Sequence, residues 1–471
     1  MTQSTDDAIG FTPATTLAAD IAARRISPVE VIEAILRRAT RLEPKLNAFA
    51  HLDTEGALAQ ARTAEAAVMR GDTLGRLHGV PVTIKDMMPV QGLPYSRGTA
   101  TMLGTVASED APIVTRLRDA GAVVLGKTTT SEFGWSAVSR SPATGLSHNP
   151  WAHGLNAGAS SAGAGIAAAA GYGPLHQGSD GAGSVRLPGH FCGVVSFKPG
   201  FGRVPYLPLP NNDYMSHIGP LTRTVADNAL MFSVMAGAHP WEHTTLDGVV
   251  DTSPAALGGG VRGLRIAYSA DLGHARVDPE VAALVANAVR HFEAMGAHVE
   301  AVTPPWGALG PDLIDGLWKA HMSNNAHLLP KWADKMDPGL VACIRDAEGM
   351  SAVEYLALRA RKHAYSEKVH RWFDNWDLLL TPSASVAAFP VELLMPADWP
   401  QHKWDWLRWA QFSYPFNIAQ NPAISVPAGF TKAELPVGLQ IVGRRFDDAG
   451  VLRAAIAFEA AAPWAERRPP L

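Results

Sequence analysis

The chain alternates between segments whose apolar residues recur at helical spacing and short, wholly apolar runs bounded by turn residues, the pattern of an α/β protein. Ser27-Pro28-Val29-Glu30 combines a capping serine, a proline at the first helical position and a glutamate three places after the cap. Val31, Ile32, Ile35 and Leu36 then share one face, so a helix is predicted from Pro28. Gly79 to Ile84 reads as a buried strand that delivers Lys85 and Asp86 at its C-terminal end, where open α/β sheets place reactive groups. Asp110 is predicted to cap a helix through Ala120, ended by Gly121 and followed by a strand over Ala122 to Leu125. A second series, with a strand at Leu264 to Tyr268, a helix from Pro279 to Met295 and a strand at His298 to Val302, implies a parallel or mixed sheet.

Two stretches break this rhythm. From Asn156 to Gly183 the chain is Gly, Ala and Ser, and only Gly165 to Ala170 is predicted helical, between two loops that bring backbone N–H groups close to a ligand. Residues 305–415 read as helical and aromatic, with nine of the thirteen tryptophans, and are expected to cover a site. The tail from Trp464 to Leu471 reads as a surface terminus.

Composition narrows the field. A length of 471 residues allows up to about three domains, but no repeat, low-complexity tract or polar linker divides them. A net charge of −4 with no basic block argues against a nucleic-acid ligand. Cys192 and Cys343 are too few for a disulfide framework or a thiolate metal site. The 17 histidines show no metal-binding spacing, so neither metal nor cofactor is expected. The polar start, with Asp6 and Asp7, lacks the basic and apolar segments of an export signal. Ala162 to Leu175 is too short and glycine-rich to span a bilayer, so a cytoplasmic protein without membrane contact is expected.

Three motif matches fail on context. Gly121 to Thr128 satisfies the phosphate-loop string, yet Ala-Val-Val-Leu at its centre prefers a strand. Gly163 to Ala168 fits a dinucleotide string without the strand that should precede it. Gly158-Ala159-Ser160-Ser161-Ala162 approaches a nucleophile elbow, with His176, His190 and His217 nearby, but again no strand is visible before it.

What survives is Lys85 after its strand, Ser160-Ser161 in one small-residue loop, and Gly178-Ser179-Asp180-Gly181-Ala182-Gly183-Ser184-Val185-Arg186 in another. From Lys85 to Ser160 is 75 residues, and from Ser160 to Ser184 a further 24. With these spacings the sequence resembles the amidase signature family. The likeness continues through Phe191 to Pro199, Gly219 to Arg223, Pro415-Phe416-Asn417, Pro422 to Pro427 and Pro436 to Gln440.

The resemblance implies a single large α/β domain with a central twisted mixed β-sheet flanked by helices. Residues of about 70–250 and 415–471 would be its catalytic core, and about 305–415 its substrate-covering region. It also implies a serine hydrolase that cleaves carboxamide C–N bonds through an acyl-enzyme. Ser184 would be the nucleophile, Ser160 the bridging serine on a cis peptide, Lys85 the base, and Gly181, Ala182, Gly183 and Ser184 the oxyanion hole. Asp180, Arg186, Ser161 and Ser179 would organise the two loops. The chemistry agrees, since a lysine takes a serine proton only when neutral, which requires burial.

Three glycines of the family's pattern are alanine here, Ala159, Ala162 and Ala182, and would be strained if any required a positive φ. Ala182-Gly183-Ser184 before Val185-Arg186 resembles the variant of members that cleave cyclic or synthetic oligoamides, and aryl amide or urethane cleavage occurs among related enzymes. A bulky neutral or aryl amide is therefore the expected partner, with a carbamate or ester hydrolase, or an amidotransferase-type subunit acting with partner chains, as the alternatives. A homodimer is the assembly the resemblance allows.

Overall fold

The computed structural model describes residues 3–471 and contains thirteen strands: β1 (Phe49–Leu52), β2 (Pro81–Lys85), β3 (Val123–Thr128), β4 (Arg140–Ser141), β5 (Gly145–Leu146), β6 (Leu175–Asp180), β7 (Val195–Lys198), β8 (His217–Thr222), β9 (Arg265–Tyr268), β10 (His298–Ala301), β11 (Leu378–Pro382), β12 (Ala423–Phe430) and β13 (Pro436–Gly443). Strands β4 and β5 form a small hairpin, and the other eleven join one sheet in the order β1-β3-β2-β6-β8-β7-β12-β13-β11-β9-β10. The sheet is mixed: β2 runs parallel to both β3 and β6, whereas β6 and β8 are antiparallel. This is the expected α/β architecture.

Its two faces carry different cores, because successive strand residues point to opposite sides. Leu378, Leu380, Ile424 and Ile441 face the core on which the helices Pro279–Ala294 and Asp448–Ala461 pack. Leu379, Ala423 and Val442 face the opposite way, into a cluster that holds Trp306, Trp318, Trp404, Trp406 and Trp409. The tryptophan-rich segment is thus mainly a second core.

Most predicted elements are present with small shifts at their ends. The helix Pro28–Leu46 begins with the predicted capping box at Ser27 and Glu30. Asp110 does not cap the helix Pro112–Asp119, whose N-cap is Ala111; its carboxylate instead accepts from the Gln91 amide and pairs with Arg118. Helix Ala162–Ala170 starts three residues earlier than predicted. The loop expected after it contains β6, buried along its whole length. Segment 305–415 includes the helices Gly310–Met322, Pro338–Arg345 and Ala352–Trp372, but also β11, inside the main sheet. Trp464 is buried and donates its indole N–H to Arg223 O, so the tail is fastened at that point and is not wholly a surface terminus. No helix of the described residues is long and apolar enough to cross a membrane.

The phosphate-loop string lies in β3 and the turn before it, and Lys127 is consumed by structure: its Nζ lies 2.8 Å from Asp86 Oδ1, both groups buried. In Lys127→Ala the Asp86 carboxylate would be left buried without its cation. A loss of about 3 to 5 kcal/mol in urea unfolding is expected, with no ATP binding by the wild type in equilibrium dialysis.

Candidate active site

The neighbouring parallel strands β2 and β6 end side by side and set the site's geometry. Ile84 is in register with Gln177, whose side chain accepts the Lys85 backbone N–H at 3.0 Å, so Lys85, one residue on, and Ser179, two residues on, meet just past the paired segment. Lys85 Nζ lies 2.7 Å from Ser160 Oγ, 3.0 Å from Ser179 Oγ and 3.3 Å from Ser179 O, fully buried. Burial pushes its pKa down from 10.5 to about 7 against the opposing pull of the Asp180 charge. Half of the amine is then neutral near pH 7.

Ser160 follows a cis peptide bond from Ala159. The helix Ala162–Ala170 behind it packs through its glycines: a Cβ on Gly163 would fall 2.1 Å from Ala48 O, and one on Gly165 2.8 Å from the Pro188 ring. Close packing, with no nucleotide site, explains this glycine string. The two serine loops are stitched together, since Ser161 N–H donates to Ser184 O, Ser161 Oγ donates to Ser179 O, and Ser179 N–H donates to Ser161 Oγ.

Ser184 sits in the turn between β6 and the helix Arg186–Cys192, a helix that sequence reading missed. Asp180 shapes this turn by accepting the N–H groups of Gly183 at 2.6 Å and Val185 at 3.2 Å. Arg186 grips both oxygens of the same carboxylate at 3.0 Å and reaches Ser413 O, Gln440 Oε1 and Asn417 Oδ1. Burial by itself would raise the Asp180 pKa, but the Arg186 charge and hydrogen bonds, with Lys198 and Asn417, hold it well below the ordinary carboxylate range. Asp180 and Arg186 thus organise the loop.

One expected role changes. The Gly183 N–H is already given to Asp180, so it is not free for an oxyanion, and the candidate donors reduce to Gly181, Ala182 and Ser184. Gly183 shapes the turn instead: its φ is +118, and a Cβ there would lie 2.5 Å from Ser413 Oγ. None of Ala159, Ala162 and Ala182 has a positive φ, whereas the retained Gly158 does, at +75. The departures from glycine therefore fall where alanine is unstrained.

Ser160, Ser179, Gly181 and Ser184 open on one cavity of about 370 Å³. Met87, Phe133, Trp318 and Met322 supply apolar wall, and segment 208–212 closes the outer side. That segment is fastened at Asp213, whose carboxylate meets His321 Nε2 at 2.9 Å, Tyr355 OH at 2.7 Å and Arg359 Nε at 2.8 Å. Trp318 is the one tryptophan in the lining, so segment 305–415 covers the site through residues 318–327 and not through its tryptophans at large.

The three histidines named for an elbow are structural. His176 and His190 are buried with pKa values pushed down to about 4; the first bonds Thr83 and Gly173 O, the second Val386 O and Gly438 N–H. Burial holds His217 far below its ordinary value as well. The contact that sequence reading missed is Ser179 against Lys85 Nζ, which follows only from the pairing of β2 with β6. Among the described residues no group of His, Cys, Asp and Glu could hold a metal ion.

A serine turn with oriented amides beside a buried, near-neutral lysine defines a class of acyl-transfer hydrolases. The sequence model of the Amidase family matches residues 30–452, and the chain belongs to that family. It is an amide-hydrolysing enzyme. It is 39% identical to an acylamidase of Rhodococcus erythropolis over 99% of this chain and 98% of the relative. A bacterial aryl acylamidase of the amidase signature enzymes superposes with a TM-score of 0.90 at 27% identity, covering 97% of both chains. A 6-aminohexanoate cyclic dimer hydrolase superposes with a TM-score of 0.89 at 29% identity, covering 98% of this chain and 99% of the other.

The displaced pKa of Lys85 has a cost for folding. Between pH 7 and 10.5 the unfolded chain holds a proton there that the folded chain does not, so stability rises with pH across that window. At pH 7 the folded state forgoes about 4 kcal/mol. Lys85→Met removes this burden and loses two hydroxyl contacts. It is expected to be about 2 to 3 kcal/mol more stable than wild type at pH 7, with the difference closing toward pH 10 in urea titrations.

Proposed function

We propose that the enzyme cleaves bulky or aryl amides with Ser184 as nucleophile, Ser160 as proton bridge and Lys85 as base. The observation that carries this reading is the 2.7 Å contact between Ser160 Oγ and a fully buried lysine amine whose pKa is about 7, on the cavity that Ser184 shares. Ser184 Oγ attacks the amide carbonyl carbon while its proton passes through Ser160 to Lys85 Nζ. The tetrahedral oxyanion accepts the N–H groups of Gly181, Ala182 and Ser184. As the C–N bond breaks, the proton returns from Lys85 through Ser160 to the departing amine. Water then hydrolyses the acyl-Ser184 ester by the same relay. Ser179 holds the Lys85 amine in place, and Ser161 holds the two loops together.

The apolar walls of Met87, Phe133, Trp318 and Met322 suit a flat or bulky group. The relatives named above are amide hydrolases, which favours amides over carbamates or esters and leaves the amidotransferase-type reading with less support. Residues of about 70–250 and 415–471 serve as the catalytic core in this reading, working on a small molecule and needing no cofactor.

Screening anilides, aliphatic amides, carbamates and esters is expected to find cleavage of aryl amides by wild type, with a fall of at least about a thousandfold in Ser184→Ala. Mass spectrometry of a slow ester substrate should find the acyl group on Ser184. Full activity in the variant would refute the assignment. Because the base works only when neutral, kcat/KM is expected to rise with pH through about 7 and then level. A profile flat from pH 5.5 to 8.5 would remove Lys85 from the role.

A further inference from the structure

The catalytic cavity has an uneven charge. Among the described residues that line it there is no carboxylate, and the one permanently charged side chain is Arg97. Its guanidinium stacks on the Phe133 ring at 5.3 Å, while its Nε is buried without a hydrogen-bond partner. The buried guanidinium groups of Arg186 and Arg38 are spent on structure, on Asp180 and on Asp7 and Ala170 O, and Arg453, whose Nε is also buried without a partner, does not line the cavity. Arg97 has no such carboxylate, although it stands at a wall of the site.

Its backbone is held in an uncommon conformation to put it there. Arg97 has φ +53, in the left-handed region that costs a side-chain-bearing residue about 1 to 2 kcal/mol, and Phe133, its stacking partner, has φ +49. Neighbouring contacts impose this geometry. Ser96 donates its N–H and hydroxyl to Asp86, Gly98 N–H donates to Ser96 Oγ, Phe133 N–H donates to Arg97 O, and Thr99 Oγ1 donates to Glu132. Asp86 directly follows Lys85, so the Arg97 loop is braced on the strand that carries the lysine. Residues held in sparsely populated backbone conformations cluster at active sites and ligand clamps, and this one stands at a cavity wall.

An arginine presents a planar fork of donors that matches a carboxylate in two parallel hydrogen bonds. The other titratable lining groups are the Tyr206 phenol, whose pKa burial pushes up to about 12 and so keeps neutral, and the imidazoles of His321 and His327, while the amides of Asn211 and Asn324 bond each other. Among the described residues that line the cavity, no carboxylate competes for the guanidinium. We propose that Arg97 is a specificity-determining residue that binds a carboxylate on one arm of the substrate, so that the preferred substrates are amides of a bulky or aryl group bearing an acid function. The inference rests on the reading of Ser184 as nucleophile and narrows it from bulky amides at large to acid-bearing ones.

Two matched pairs of substrates test it, one for each arm. Glutaryl-4-nitroanilide is compared with 5-methylhexanoyl-4-nitroanilide, and 4-acetamidobenzoate with 4-isopropylacetanilide; in each pair an isopropyl group replaces the carboxylate at equal shape. The expected result is a kcat/KM ratio of at least about ten in favour of the acid in one pair, expressed mainly in KM. That ratio should collapse toward one in Arg97→Met and be partly kept in Arg97→Lys. Because the readout is a ratio, a general loss of folding or of chemistry lowers both members alike and does not imitate the effect. A ratio near one in both pairs for wild type, or a preference that survives in Arg97→Met, would overturn the inference while leaving the nucleophile reading intact. Equal cleavage of all four substrates by wild type and Ser184→Ala would instead overturn the nucleophile reading.

Discussion

The ion pair between Asp180 and Arg186 is the constraint on which the site depends. Both groups are fully buried, a state that is unfavourable unless nearly every lone pair and N–H finds a partner. The protein meets that demand with the very backbone it needs to shape: the amides of Gly183 and Val185 are drawn onto the carboxylate, which curls the chain and places Ser184 at the turn. Asn417, Gln440 and Ser413 complete the shell from segments more than two hundred residues away. Catalytic geometry and long-range folding are therefore one hydrogen-bond system. A chain that has not brought β13 and the segment around Asn417 into place cannot hold the turn that carries Ser184.

The sequence disclosed the site more fully than the fold around it. That Lys85 would meet Ser160, with Ser184 on the same cavity, was readable because spacing and flanking motifs act jointly, and because the need for a neutral amine predicts a buried strand end. The helix at Pro28 was readable from its cap. Strand β6 was not, since Leu-His-Gln-Gly-Ser-Asp has no apolar alternation; its polar groups are satisfied by neighbours such as Thr83 and the Lys85 backbone instead of by water. Strand β11 was hidden in a segment dominated by helix and tryptophan. The contact of Ser179 with Lys85 and the diversion of the Gly183 amide to Asp180 depend on register and loop curvature, which one-dimensional spacing does not encode.

The tryptophans show how composition can mislead about location. A run of large aromatic side chains fits either a binding pocket or a core, and here Trp306, Trp404, Trp406 and Trp409 are almost entirely buried, packing edge-on against neighbouring rings such as Phe416, Trp318 and Phe191. Their role is to give the second face of the sheet enough volume to support the cavity above it. The walls that meet a ligand come from smaller contributions of several loops.

The separation of those walls from the serine turns bears on how such a protein diversifies. Segments 208–212 and 318–327 border the cavity and are latched to each other through Asp213 and His321, neither of which bonds the Asp180 carboxylate, although Asn417 ties that carboxylate to Met215 O close by. Side chains in these two borders make none of the hydrogen bonds to the Asp180 carboxylate, so substitutions there leave that set of bonds in place. Descendants of one ancestral chain could thus trade one amide for another in few steps, keeping the reaction while the menu of molecules admitted to it drifts.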